Sequence, residues 1–338
     1  MTDRLEDLGS LLERHGLASI AEEPFEHDGW SGARLTRLTR PDGARFILKR
    51  DGLALDWIAR ATEDIQLREA QLVFARPVLP APVRLPHLGA APDGEGVAIL
   101  MPDLGETLIP WEQPIGVGNL ERVLDALATL HRAPWPAQLG AGFPWCEVKP
   151  RLALLTRQSA AVYEAEGNPV GERFRLGWDA FDRHTSTTAR SLIGGLAADP
   201  APLLAELARL PAAGLHGDLK LGNVGLASDG AVDLIDWQMT LVAPVAVELG
   251  WFLVANVAGL PLPPDEILER YRRMAALPDD DAWATQRDLS IVVGLLLRGW
   301  RKGLDAEAGL TLPDGRTARA DLEWWCSGVA ASSTIRPW

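Results

Sequence analysis

Cysteine is scarce in this 338-residue chain: Cys146 and Cys326 are the only two, and no CxxC pair occurs. A disulfide framework or a structural zinc site is therefore excluded as the organising principle, and a reducing, cytoplasmic setting is expected. Positive charge is also in deficit. The chain has 33 basic and 46 acidic residues and a net charge of −13, which speaks against a non-specific nucleic-acid or anionic-membrane binder. An acidic surface instead suits a cationic ligand, or simply solubility. No apolar run reads as a membrane span. The longest, Val242–Pro263, is broken by Glu248, Asn256 and prolines and reads as a buried core helix. The opening residues, Met1-Thr-Asp-Arg-Leu-Glu-Asp, form no signal-peptide core. Lysine is rarest of all relative to expectation. Only Lys49, Lys149, Lys220 and Lys302 occur among the 33 basic residues, the other 29 being Arg. Each lysine is thus a position where the prevailing base was not used.

What the chain does contain is a full core. The hydrophobic fraction is 47 % and the charged fraction 23 %, ordinary for a globular protein and incompatible with overall disorder. The length favours two lobes. Leu5, Leu8, Leu11 and Leu12 have helical spacing, with Gly16 as the stop. Ala33–Arg40 and Ala44–Arg50 read as strands joined by the turn Pro41-Asp42-Gly43. Leu55–Phe74 reads as one helix. Val83–Leu88 and Gly96–Met101 read as further strands, and Met101–Gly105 as the junction between lobes. Beyond it helices predominate: Leu120–His131, Val148–Glu164, Arg173–Leu196, Pro202–Leu210, Asp265–Ala276, Ala282–Leu304 and Arg319–Ala330. One small hairpin, Asn223–Leu226 with Ala231–Ile235, interrupts them. The expected class is α+β: a small, mainly antiparallel β lobe with one long helix (residues 1–104), then a larger helical lobe (105–338).

Chemistry concentrates in Leu215-His216-Gly217-Asp218-Leu219-Lys220-Leu221-Gly222-Asn223 and, past the hairpin, Ile235-Asp236-Trp237. His-x-Asp-x-x-x-x-Asn followed by an Asp at a strand end is the layout of a kinase catalytic core. Phosphoryl transfer from ATP needs a carboxylate to orient the acceptor hydroxyl and take its proton, the role expected of Asp218. It also needs hard oxygen ligands for Mg2+, the role expected of Asn223 and Asp236. The same template requires a lysine on an upstream strand and a glutamate on the next helix. Lys49 ends such a strand, and Glu69 lies twenty residues on, with Glu63 as the competing partner. Lys220 is placed to touch the transferred phosphate. Ser31 and Gly32, in Gly29-Trp30-Ser31-Gly32, form a candidate phosphate loop, with an ordinary strand turn as the equal reading.

On Lys49, Glu69, Met101-Pro102-Asp103-Leu104-Gly105, Leu127–Arg132, His216–Asn223 and Ile235-Asp236-Trp237, the sequence resembles the aminoglycoside phosphotransferase and choline kinase group. This is a small-molecule branch of the protein-kinase-like fold. The resemblance runs from about residue 20 to 260. It implies a bilobal kinase fold with ATP in the cleft, GTP being the alternative nucleotide. It further implies adenine bonded to the hinge after Met101, through the Pro102 carbonyl and the Leu104 N–H. Two features depart from the group. The Gly-Asp of the Gly-Asp-Pro that often follows Ile-Asp-Trp is lost, with Glu248 where a loop-bracing Asp is usual, and Gly29-Trp30-Ser31-Gly32 is not a GxGxxG.

Other candidates have plain structural readings beside the functional ones. His216 is expected to brace its loop. Trp300, Trp324 and Trp325 could form a cage for a quaternary ammonium or, the favoured reading, pack the core. Asp279-Asp280-Asp281 could receive amino groups or, again favoured, cap a helix. Asp182 and Glu248 are further acidic candidates. The expected activity is an ATP- and Mg2+-dependent phosphotransferase acting on a hydroxyl of a small polar acceptor, with an aminoglycoside or amino sugar favoured. Choline, ethanolamine or a neutral sugar are alternatives, and a catalytically silent nucleotide-binding regulator is the alternative of another class. A monomer or homodimer is expected, with no nucleic-acid or membrane partner. No Ala-Pro-Glu segment occurs, and about six residues separate Trp237 from Pro244, too few for a protein-kinase activation loop.

Overall fold

The computed structural model describes residues 6–26, 29–110, 113–332 and 334–335. The first helix, α1 (Leu8–Arg14), is capped by Asp7, whose carboxylate accepts from the Ser10 N–H; Leu5 lies outside the described residues. A five-stranded antiparallel sheet follows in the order β1-β2-β3-β6-β5. Its strands are β1 (Glu23–Pro24), β2 (Arg34–Thr39), β3 (Arg45–Asp51), β5 (Gly89–Asp93) and β6 (Gly96–Pro102). Lys49 of β3 sits opposite Leu35 and Ile99, so the sheet centre holds it.

Two features of this lobe differ from the sequence reading. Leu55–Phe74 is not one helix but two, α2 (Trp57–Ala61) and α3 (Arg68–Ala75), separated by a turn with left-handed Glu63 and Leu67. Helix propensity loses to a tertiary anchor here. Asp64 accepts the Arg68 N–H, and the buried Arg68 guanidinium donates to the carbonyls of Thr62, Pro144 and Gln238. Val83–Leu88 is not a strand of the sheet. Only β4 (Val83–Arg84) forms, and it pairs in parallel with the hairpin of the other lobe. Arg84 bonds Asp233 and Asp229 there, which draws the chain across.

The larger lobe comprises α4 (Val117–Arg132), α5 (Val148–Ala153), α6 (Arg157–Ala165), α7 (Pro169–His184), α8 (Thr187–Ala198) and α9 (Ala201–Leu207), then α10 (Val245–Ala255), α11 (Pro264–Met274), α12 (Asp281–Glu307) and α13 (Ala318–Ala331). Two expected helices are thereby each divided: Val148–Glu164 into α5 and α6, Arg173–Leu196 into α7 and α8. Thr156 and Ser186 supply the new N-caps. Between α9 and α10 lie β7 (Ala212–Leu215), β8 (Val224–Leu226), β9 (Val232–Leu234) and β10 (Leu241–Pro244). The β8–β9 hairpin matches the sequence reading; the antiparallel β7–β10 pair was not expected. Helix α10 is buried along its length, from Val245 to Val254. Among the described residues no helix is long and apolar enough to cross a membrane.

The core of this lobe centres on α12, packed between α7, α10 and α13. Close approach requires small residues at the crossings. A Cβ on Gly303 would lie 2.4 Å from the Phe181 nitrogen of α7. Trp300 and Trp325 are almost fully buried in this core, the packing reading rather than an open cage. Replacing Gly303 with Ala should cost about 1–3 kcal/mol by overpacking and lower Tm by a few degrees, measured by thermal unfolding. An unchanged Tm would show that the α7–α12 crossing can relax.

Candidate active site

The cleft between the lobes is built around Glu69 of α3, which is 2 % exposed. One carboxylate oxygen takes the Lys49 Nζ at 2.6 Å. The other meets the His87 Nε2 at 3.0 Å and accepts the backbone N–H of Asp236 at 3.0 Å. Glu63, the competing partner, lies in the exposed α2–α3 turn. Lys49 also bonds the Asp236 carboxylate at 2.9 Å. Burial acts to raise the Glu69 pKa, but the Lys49 charge and the His87 bond outweigh it and hold the group far below the usual range. Burial likewise opposes charge on Lys49, yet Asp236 and Glu69 keep its pKa well above normal. Nearby Asp51 is pushed up to about 7, because burial outweighs the Lys49 charge and the Gly52 N–H bond.

The catalytic-loop candidates follow β7. His216 is buried, its Nε2 donating to the Ile235 carbonyl at 3.0 Å while Nδ1 accepts the Asp218 N–H. This is the bracing arrangement expected from the sequence. Gly217 has φ +85°, and a Cβ there would lie 2.0 Å from the Met239 carbonyl oxygen, so only glycine fits. Asp218 pairs with Lys220 at 3.0 Å. The Asn223 amide donates to the Asp218 carbonyl at 2.9 Å, and its carbonyl oxygen makes no hydrogen bond among the described residues. Asp236 adopts a left-handed conformation, φ 65°, at the end of β9. One of its carboxylate oxygens is engaged by Lys49, leaving the other free. These two oxygens, one amide and one carboxylate, are the hard donors magnesium takes alongside phosphate and water.

Glu248 of α10 underpins the loop. It accepts the N–H of His216 at 2.9 Å and of Gly217 at 2.7 Å, and meets the His131 Nε2 at 3.0 Å. His131 in turn bonds the Tyr271 hydroxyl. Burial acts to raise the Glu248 pKa, but the His131 hydrogen bond and the neighbouring histidines win, and it lies below normal. At the far end of the loop Asn256 accepts the Leu221 N–H and donates to the Leu219 carbonyl.

At the junction, Met101 is buried and β6 ends at Pro102. The Leu104 N–H has no acceptor among the described residues. Ser31 and Gly32 are held against α2, the Ser31 carbonyl accepting the Trp57 N–H at 3.0 Å. Trp30 reaches across to the large lobe, with its ring centroid 6.3 Å from Phe174 and 5.9 Å from Trp300.

The acidic candidates for an amino-bearing acceptor have other work. Asp280 caps α12 through the Trp283 N–H, Asp182 pairs with Arg157, and Glu248 is committed to the loop. For Asp280 this is the capping reading favoured from the sequence. Sequence reasoning missed Arg68, His87, Asn256 and Arg151, whose Nε donates to the Gly217 carbonyl at 3.1 Å. Each acts through a contact distant in the chain, as does His131, which lies inside the quoted Leu127–Arg132 stretch.

The model of a phosphotransferase enzyme family matches residues 21–285. The chain belongs to that family. No match is found among curated protein sequences. Among solved structures, the chain is similar to choline kinase from Cryptosporidium parvum at 12 % identity and TM-score 0.50, covering 91 % of this chain and 88 % of that one. It is similar also to a choline/ethanolamine kinase family protein from Mesorhizobium loti, at 15 % identity and TM-score 0.46, covering 96 % of both. An aminoglycoside phosphotransferase from Streptomyces rimosus aligns at 17 % identity and TM-score 0.48, over 84 % of this chain and 96 % of that one. At such identities the likeness concerns the fold, which is the bilobal protein-kinase-like one, and the family's members are phosphotransferases.

Glu248→Gln replaces a double acceptor by an amide whose NH2 faces donors. It should destabilise the protein by about 2 kcal/mol at pH 7. Because the folded pKa of Glu248 lies below the usual 4.5, its stabilisation is complete above that value and is lost as pH falls through the folded pKa. Urea unfolding of both proteins at pH 7, 5 and 4 should therefore show the gap closing only at the acid end. A gap independent of pH would mean that the carboxylate charge is irrelevant.

Proposed function

We propose that the protein transfers the γ-phosphoryl group of ATP, with Mg2+, to a hydroxyl of a small acceptor. The observation that carries this reading is the grouping of Lys49 with Glu69 and Asp236, at 2.6 and 2.9 Å, beside a loop in which the Asn223 side chain bonds the Asp218 carbonyl at 2.9 Å. Residues 1–104 would hold the nucleotide and 105–338 the acceptor. Lys49, oriented by Glu69, binds the α- and β-phosphates. The Pro102 carbonyl and the free Leu104 N–H receive the adenine edge, and the backbone around Ser31 and Gly32 covers the phosphates. Asn223 and Asp236 would hold magnesium, which when bound neutralises phosphate charge.

Asp218 accepts the acceptor's hydroxyl proton as that oxygen bonds to the γ-phosphorus and the bond to the ADP oxygen breaks. Its pairing with Lys220 keeps the carboxylate oriented and sets an ammonium beside the departing phosphoryl group. Rate enhancement on this reading comes from positioning and charge placement.

An ADP-release assay with Mg2+ and ATP, run with a panel of small alcohols, tests the reading. Asp218→Asn should lower acceptor-stimulated kcat by at least a hundredfold, by loss of general-base catalysis, while ATP affinity measured by calorimetry stays within about twofold. A variant that keeps most of its rate would remove Asp218 from the role. ATP binding without turnover in wild type across the panel would favour the nucleotide-binding regulator instead.

A further inference from the structure

Beside Asp218 the large lobe carries guanidinium groups that make no ion pair among the described residues and keep unbonded buried nitrogens. Arg151 of α5 is 1 % exposed. Its Nε is satisfied by the Gly217 carbonyl, but Nη1 and Nη2 are buried and bonded to nothing. Arg298 of α12 has a buried Nε that is likewise unbonded. Both guanidiniums lie over the same indole, that of Trp251, at 4.5 and 5.6 Å from the ring centroid. Both are near enough to Asp218 to feel its charge. Neither makes an ion pair among the described residues, and Asp218 is itself paired with Lys220. Arg173 of α7 adds a third unpaired positive charge, stacked on Trp30 at 4.5 Å and felt by Arg298. Arg301 is the exception, since Asp305 neutralises it at 2.8 Å.

Two like charges over one ring, with Asp218, Glu248 and Asp305 near but none in a direct ion pair with them among the described residues, are costly to bury, and the cation–π contacts offset only part of that cost. Bracing the catalytic loop accounts for the Arg151 Nε and leaves its two other nitrogens unexplained. The backbone supports the same conclusion. Arg298 has φ −140° and ψ 19° inside an otherwise helical 27-residue element, so the helix is broken at the residue whose guanidinium enters the site. Forked donors held by packing are what a planar oxyanion recognises.

We propose that the acceptor of this enzyme carries an oxyanion, a carboxylate or a phosphate ester, beside the hydroxyl presented to Asp218, and that Arg151 and Arg298 bind it. This rests on the phosphotransferase reading and reverses the charge expected of the acceptor from composition. Arg298 is the specificity residue to probe. Arg151 is tied to the catalytic loop, and its replacement would disturb Gly217 as well.

The test measures binding and turnover separately. Calorimetry without ATP and ADP release with ATP and Mg2+ are run on gluconate and glycerate (carboxylates), glucose 6-phosphate (a phosphate ester), glucose and glycerol (neutral) and glucosamine (cationic). The expected result is binding and turnover confined to the anionic members, with kcat/KM at least tenfold above the matched neutral compounds. The carboxylate and phosphate arms identify which oxyanion is read. Arg298→Gln should raise the acceptor KM at least tenfold and abolish the preference, Arg298→Lys should retain part of it, and ATP affinity should stay within about twofold in both. Anion binding that Arg298→Gln abolishes, with no transfer in wild type, would keep the anion site and refute the phosphotransferase reading. Equal or better turnover of glucosamine or glucose would overturn the anion site and keep that reading. Failure of every anionic member to bind wild type, or a loss of ATP affinity in place of acceptor affinity in Arg298→Gln, would also overturn it.

Discussion

A single buried carboxylate, that of Glu69, ties the structure together. It joins the sheet through Lys49, the loop before β5 through His87, and the segment after β9 through the backbone of Asp236. Burial of a lone carboxylate is unfavourable, and here both of its oxygens are answered by a charge or a fixed N–H. The consequence is positional. Lys49 and Asp236 come from residues far apart in the chain, yet they meet because both are bonded to the same acid.

The catalytic loop has a second acid beneath it. Glu248 grips the two backbone N–H groups just before Asp218, while Asn256 grips the other end of the loop. The extra methylene of Glu relative to Asp is accommodated because α10 is buried on all sides and His131 holds the carboxylate from behind. Asp218 is thus the half-buried tip of a segment whose backbone is already satisfied, the condition under which a side chain can be positioned without its loop rearranging.

Much of this was legible from residues alone. The Lys49–Glu69 pair, the His216–Asn223 spacing, Asp236 and the β8–β9 hairpin follow from short-range pattern, and the rarity of lysine sharpened the choice of Lys49. What pattern could not show is whatever depends on a contact between distant segments. The α2–α3 break is dictated by Arg68 reaching Pro144 and Gln238, and the departure of Val83–Arg84 from the sheet by Arg84 reaching Asp229 and Asp233. The same holds for the cluster beside Asp218. A surplus of acids over the chain is compatible with a few arginines gathered around one indole, and only the packing of α5, α10 and α12 reveals that gathering.

Arg68 has a mechanical consequence. The helix that carries Glu69 belongs to the small lobe by sequence, but its guanidinium is moored to carbonyls of the large lobe. Mechanically, α3 is part of the stationary frame. If the sheet rocks, it slides over an anchored helix and does not carry the helix along. The strain of opening then falls on the contacts that join Glu69 to the sheet and its loop, those with Lys49 and His87, making them the gauge of how far the cleft stands ajar.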